Sequence, residues 1–138
     1  MNDENTVTIE EKIRDSIVNF VRTSPANKMF HLDGSPFFDE PLVGFADGKD
    51  PLFARFKDII GDYHLTPQEI MGKAVQSGDV APNQDLAKLG VICYILPVTA
   101  QTRKSNRSQK HHPSIQWAHQ RNCGERFNDA VRDFVVME

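Results

Sequence analysis

Cysteine is nearly absent. Cys93 and Cys123 are the only two in 138 residues, and no C-x-x-C occurs. Two thiols cannot staple a small fold, and alone they cannot supply the four ligands of a structural zinc or a four-cysteine iron–sulfur cluster. No apolar run approaches the roughly 18–20 residues of a membrane span. The N-terminal MNDENTVTIEEK has neither the basic start nor the apolar core of a secretory signal, so a cytoplasmic protein that engages no membrane is expected. There is no Walker loop, no G-x-G-x-x-G and no G-x-S-x-G, which removes three large nucleotide-binding and hydrolase classes. Internal repeats and low-complexity segments are missing too. What remains, 39% hydrophobic and 25% charged residues, reads as a globular chain with polar loops. Its length fits one domain, 1–138, large enough to bury a core without staples.

The pattern along the chain predicts a helix-rich α/β (α+β) fold with one strong strand and one or two more. Thr8 and Glu11 form a capping-box pair, and Ile9, Ile13, Ile17, Phe20 and Val21 recur at helical spacing until Ser24-Pro25. Residues 26–49 are punctuated by Gly and Pro yet carry Phe37, Phe38, Leu42, Val43 and Phe45, which predicts a packed loop with a short strand over 42–46. Asp50-Pro51 opens a second helix that Gly61 ends, and Thr66-Pro67-Gln68-Glu69 opens a third. A polar turn follows over 77–85. Leu89–Val98, LGVICYILPV, is apolar on both faces except at Tyr94, the pattern of a central strand covered on both sides, with Cys93 as a buried thiol. Residues 99–112 read as a polar loop. His112-Pro113-Ser114 then leads into a long helix through about Val136, with Ile115, Ala118, Phe127, Ala130, Val131, Phe134 and Val135 as its stripe. Gly124 interrupts that helix, which favours close approach of another backbone or a ligand. A central strand short of partners implies either a piece of a longer protein or a sheet completed by a second copy, a homo-oligomer.

Charge is distributed unevenly. The chain is −3 overall, but Gln101–Arg126 carries six cations (Arg103, Lys104, Arg107, Lys110, Arg121, Arg126) against Glu125 alone. His111, His112, His119 and Trp117, the only tryptophan, lie in the same stretch. Such a reversal points to an anionic partner, a phosphate-bearing ligand, nucleic acid or acidic protein face, or else to a solvated helix face behind a basic loop. Thr102–Ser108, directly after the strand, offers cations and small hydroxyls where α/β folds gather ligands. Trp117 could wall such a site. His119 and Cys123 share a helix face, and His111 or His112 could fold back toward them. The spacing matches no standard zinc pattern, so no metal site and no catalytic residue is assigned.

Three segments together resemble the N-terminal region of epoxyqueuosine-reductase-like iron–sulfur proteins (4Fe-4S ferredoxin type), relatives of corrinoid-dependent reductive dehalogenases. They are FFDEPLVGFADGKDPLFARFKDIIGDYHLTPQEIM at 37–71, GVICYILPV at 90–98, and TRKSNRSQKHHPSIQWAHQRNCGERFNDAVRDFVV at 102–136. The third is the most specific, with S-N-R, W-A-H and G-E-x-x-N in order. The resemblance implies part of a nitroreductase-like α/β sandwich that binds a corrinoid (cobalamin), with the two 4Fe-4S clusters in a C-terminal ferredoxin-like module that this chain lacks. It implies that module and a tRNA as partners. This chain is then the N-terminal part of a larger front domain, an oxidoreductase fragment inactive alone. The residues expected at a cofactor are Arg103, Ser105, Asn106, Arg107, Trp117, His119 and Arg121. The alternative is a non-catalytic binding module using 102–126.

Overall fold

The structure, a computed structural model, describes residues 7–83 and 85–137. They form an α+β arrangement of five α-helices, one 3-10 turn and a two-stranded antiparallel sheet. In order these are α1 (Ile9–Thr23), β1 (Leu42–Asp47), α2 (Pro51–Ile59), α3 (Pro67–Ser77), the 3-10 turn Leu86–Lys88, β2 (Gly90–Ile95), α4 (Ala100–Arg107) and α5 (Ile115–Met137). The chain divides into two compact units, one of residues up to 43 together with 94 onward, the other of residues 44–93.

The first unit holds the core. The capping box starts α1 as expected: Thr8 Oγ1 accepts from the Glu11 N–H at 3.2 Å, and Glu11 Oε2 accepts from the Thr8 N–H at 2.8 Å. Ile17 and Val21 of α1 are buried with Met29, Phe37 and Phe38 of the following loop and with Phe127 and Val131 of α5. Phe20 stacks on Phe127 and Phe134, at 6.1 and 4.3 Å between ring centroids. The loop is packed, as its aromatics predict. Buried Asn27 ties it down: Nδ2 donates to Val21 O and Phe38 O, and Oδ1 accepts from the Phe38 N–H, each at 3.0 Å. One amide thus satisfies backbone groups that burial would otherwise leave unpaired. Phe38 also bridges antiparallel to Val98.

The second unit is built differently. Asp50 caps α2 by accepting from the Leu52 N–H at 2.8 Å, Thr66 and Glu69 form a second capping box on α3, and Gly78 ends α3 at φ +84°. Lys57 Nζ lies 2.6 Å from Glu69 Oε1. Neither α2 nor α3 contains a buried residue, while Leu52, Ile59, Ile60, Tyr63 and Ile70 are exposed. Position 84, within the expected polar turn, lies outside the described residues.

Four expectations are corrected. The 89–98 strand is shorter, Gly90–Ile95, and is not central: among the described residues β2 pairs only with β1. Cys93 is exposed rather than buried, as is Ile95 at 63%. An apolar run announces β-propensity, but burial on both faces needs neighbouring layers that these residues do not provide. Residues 99–112 are not all loop either. Thr99 Oγ1 accepts from the Thr102 N–H at 3.2 Å and starts α4. The segment AQTRKSNR contains good helix formers but almost no apolar residue, so periodicity is blind to it. Finally, Ile115, expected in the α5 stripe, is 69% exposed.

Candidate functional site

The first unit carries the basic stretch as a helical hairpin. Its two arms are α4 and α5, and its tip is the turn over 108–114. The tip is held by small polar groups. Ser114 Oγ lies 2.8 Å from Ser105 Oγ and accepts from the Trp117 N–H at 3.1 Å, capping α5. Asn106 Oδ1 accepts from the Ser114 N–H at 3.0 Å, and Ser105 Oγ donates to Thr102 O at 2.9 Å. Ser105 and Asn106 are therefore committed to the hairpin's own turn. Arg103 folds back, its guanidinium donating to Val98 O.

The remaining cations face outward. Lys104 and Arg107 occupy the last turn of α4, where they complement the negative end of the helix dipole, and Lys110, His111 and His112 continue into the exposed tip. Arg121 and Arg126 are exposed on different flanks of α5. Among the described residues none of these five Lys and Arg side chains is in an ion pair, whereas Lys57, Lys88 and Arg132 each are. Trp117 is half-buried, one turn into α5.

Two cavities flank α5. The first, about 200 Å³, is lined by Phe38, Tyr94, Leu96, Gln120, Glu125 and Asn128, with Arg121 at its edge. Tyr94 Oη donates to Asn128 Oδ1 at 3.0 Å, and Asn128 Nδ2 donates to Glu125 Oε1 at 3.1 Å. Burial pushes the Tyr94 phenol above its ordinary value, helped by the Glu125 and Asp129 carboxylates and opposed by Arg132. Gln120 Oε1 is buried here without a hydrogen-bond partner among the described residues. Gly124 lies under this wall. A Cβ there would sit 3.0 Å from Phe38 Cζ and 3.1 Å from Gln120 Nε2, so the glycine admits the ring.

The second cavity, about 230 Å³, is lined by Phe30, Phe37, Phe127, His31, His119 and Cys123, with Arg126 beside them. Cys123 Sγ is 3.7 Å from His119 Nδ1, so the expected shared helix face is real. Phe37 stacks on the His119 ring at 5.5 Å, and the His31 ring meets it edge-on at 5.7 Å. His111 and His112, either of which the sequence allows to fold back toward His119, are exposed at the tip. Among the described residues no three His, Cys, Asp or Glu side chains converge as a ligand group.

No family model matches the chain, and neither a curated protein nor a solved structure does. The seven residues expected at one cofactor are thus distributed over different tasks. Ser105 and Asn106 clasp the tip, Arg103 holds the β2–α4 connection, Arg107 is solvated, Trp117 is half-buried, and His119 and Arg121 border different cavities. Both cavities lie below the roughly 300–1,000 Å³ of pockets that hold drug-sized ligands. Sequence reasoning missed Asn27, His31 and Gln120. Each is one polar residue in an unpatterned or helical context, and only tertiary proximity gives it a role. No helix among the described residues is long and apolar enough to cross a membrane.

Proposed function

We propose that the chain is a non-catalytic binding module whose α4–α5 hairpin tip contacts a polyanion, with single-stranded or tRNA-like nucleic acid as the partner class. The observation that carries this reading is the run of exposed cations, Lys104, Arg107 and Lys110, with His111 and His112, none ion-paired among the described residues. Compensating the α4 dipole requires charge only in the last turn. Lys110 and the two histidines lie beyond it, in a turn fixed by Ser105, Asn106 and Ser114. A fixed turn presents charge at lower entropic cost than a loose one. Half-buried Trp117 and the exposed imidazoles offer ring faces beside the charge.

The test is the salt dependence of binding to a fluorescent single-stranded oligonucleotide and to tRNA. Each phosphate neutralised on a single strand should lower log K by about 0.7 per log unit of salt. The Arg107→Ala and Lys110→Ala variants should bind more weakly with a shallower slope and an unchanged circular dichroism spectrum. Absence of binding at low salt, or a slope indifferent to both variants, refutes the reading.

A second reading is the front part of an epoxyqueuosine-reductase-like oxidoreductase, acting with a separately supplied iron–sulfur module. It is supported by the placement of the resembling residues: Ser105 and Asn106 clasp the hairpin, Gly124 receives Phe38, and Asn128 accepts from Tyr94. These are tasks a shared fold would preserve. Cobalamin binding that persists at high salt and ignores Arg107→Ala would favour this reading over the first.

A further inference from the structure

We propose that the cavity lined by Tyr94, Gln120, Glu125 and Asn128 binds a small zwitterion of the α-amino-acid class, its ammonium turned inward and its carboxylate toward Arg121. All of its lining belongs to the first unit. Gln120 carries the argument. It is 7% exposed and lines the cavity, and its Oε1 is buried without a hydrogen-bond partner among the described residues. Buried acceptors are paired by protein, water or ligand, so this oxygen calls for a donor from the occupant.

One carboxylate fixes the polarity of the rest. Ionised Glu125 can only accept, so Asn128 turns its Nδ2 toward Glu125 Oε1, at 3.1 Å. Asn128 Oδ1 is then left to accept from Tyr94 Oη, at 3.0 Å. The Tyr94 hydrogen is thereby committed, and what the cavity still offers is acceptor capacity: Gln120 Oε1, the Tyr94 Oη lone pairs and the carboxylate of Glu125. An ammonium, with three donors and one positive charge, matches that set. The rim supplies the opposite sign. Arg121 lies four residues before Glu125 on α5, yet the two form no ion pair. A cation preceding its carboxylate is the weaker order for a helical pair. The guanidinium fork suits a ligand carboxylate. Phe38 and Leu96 supply an apolar wall for the ligand's carbon chain. A volume of about 200 Å³ limits the occupant to a molecule smaller than a drug.

The probe is L-valine, titrated into the isotope-labelled full chain and followed by NMR. Saturable shifts of the Gln120 and Asn128 side-chain amides are expected. Isovalerate, which lacks the ammonium, and L-valinamide, which lacks the carboxylate, should each bind at least about tenfold more weakly, the cost of a lost charge-assisted hydrogen bond. Arg121→Ala should weaken L-valine by about the same factor and leave L-valinamide unchanged. Gln120→Met removes the acceptor at nearly constant length. It should weaken L-valine about tenfold while the melting temperature holds or rises, because an unpaired buried carbonyl is removed. A lowered melting temperature would make Gln120 a structural residue and overturn its role. Absence of saturable shifts, which leaves the cavity to ordered water, or equal affinity for the three probes overturns the site. The oligonucleotide assay is independent, since it reads charges at the hairpin tip.

Discussion

The two units of this chain obtain their structure from different sources. The first assembles every buried apolar side chain among the described residues: Ile17, Val21, Met29, Phe37, Phe38, Phe127 and Val131. The second, residues 44–93, has helices specified by caps, a proline at each helix start and an ion pair, yet among its described residues no apolar side chain is buried. Local grammar is sufficient to define where a helix begins and ends, but most helical stability in proteins comes from packing an apolar face. The contrast teaches that well-formed secondary structure and a stabilising core are separable achievements of one sequence.

The largest test of that contrast is a pair of truncations. Phe127→Ala should cost about 3–5 kcal/mol in chemical denaturation, whereas Tyr63→Ala, at a 75% exposed ring, should stay within about 0.5 kcal/mol. Similar costs at the two sites would erase the distinction. Next comes Asn27→Ala, which strands the Phe38 N–H and removes donors from two carbonyls; a loss of about 2–3 kcal/mol is expected. Gly124→Ala is smaller because two effects oppose. Helix propensity gains about 1 kcal/mol, while overlap with the packed Phe38 ring costs about 1–3 kcal/mol. The net result should be a lower melting temperature; a higher one would mean that Phe38 yields.

The smallest effect lies in the second unit and depends on pH. The Lys57 ammonium, together with the Thr66 N–H, holds the Glu69 carboxyl down at about 2 against an ordinary 4.5. A depressed carboxylate contributes in full above its unfolded value and loses that contribution as pH falls through the folded one. Amide exchange in α3 should therefore accelerate as pH drops from about 4.5 toward about 2, after correction for intrinsic rates. Glu69→Gln should flatten that dependence without altering exchange in α5. A profile unchanged by the substitution would remove the ion pair from the account.

Much of this was legible beforehand, for identifiable reasons. Thr8–Glu11, Asp50-Pro51 and Thr66–Glu69 announce helix starts through hydrogen bonds that close within a few residues, so sequence order suffices to find them. The packed character of the 26–49 loop followed from its aromatics. Burial did not follow. Cys93 and Ile95 look interior because their neighbours are apolar, but the layers packed on a strand's faces decide that, and among the described residues these two side chains stay exposed. Helix α4 was concealed by its polarity, although Thr99 before Ala-Gln was a legible cap. At the candidate sites, the His119–Cys123 pair was readable from helical spacing. Its neighbour His31 was not, since no local rule joins a turn after α1 to the face of α5. The charge reversal was visible as composition, whereas the commitment of Ser105 and Asn106 to the turn needed coordinates.

One consequence of the Asn27 amide reaches beyond stability. By engaging both the N–H and the C=O of Phe38, it occupies the two backbone groups that an incoming strand would need on that side, while the antiparallel bridge to Val98 occupies the other. The ladder is closed there by a side chain. An unsealed strand edge is a template for intermolecular growth. This small amide therefore leaves no free backbone group at Phe38 for another chain to pair with.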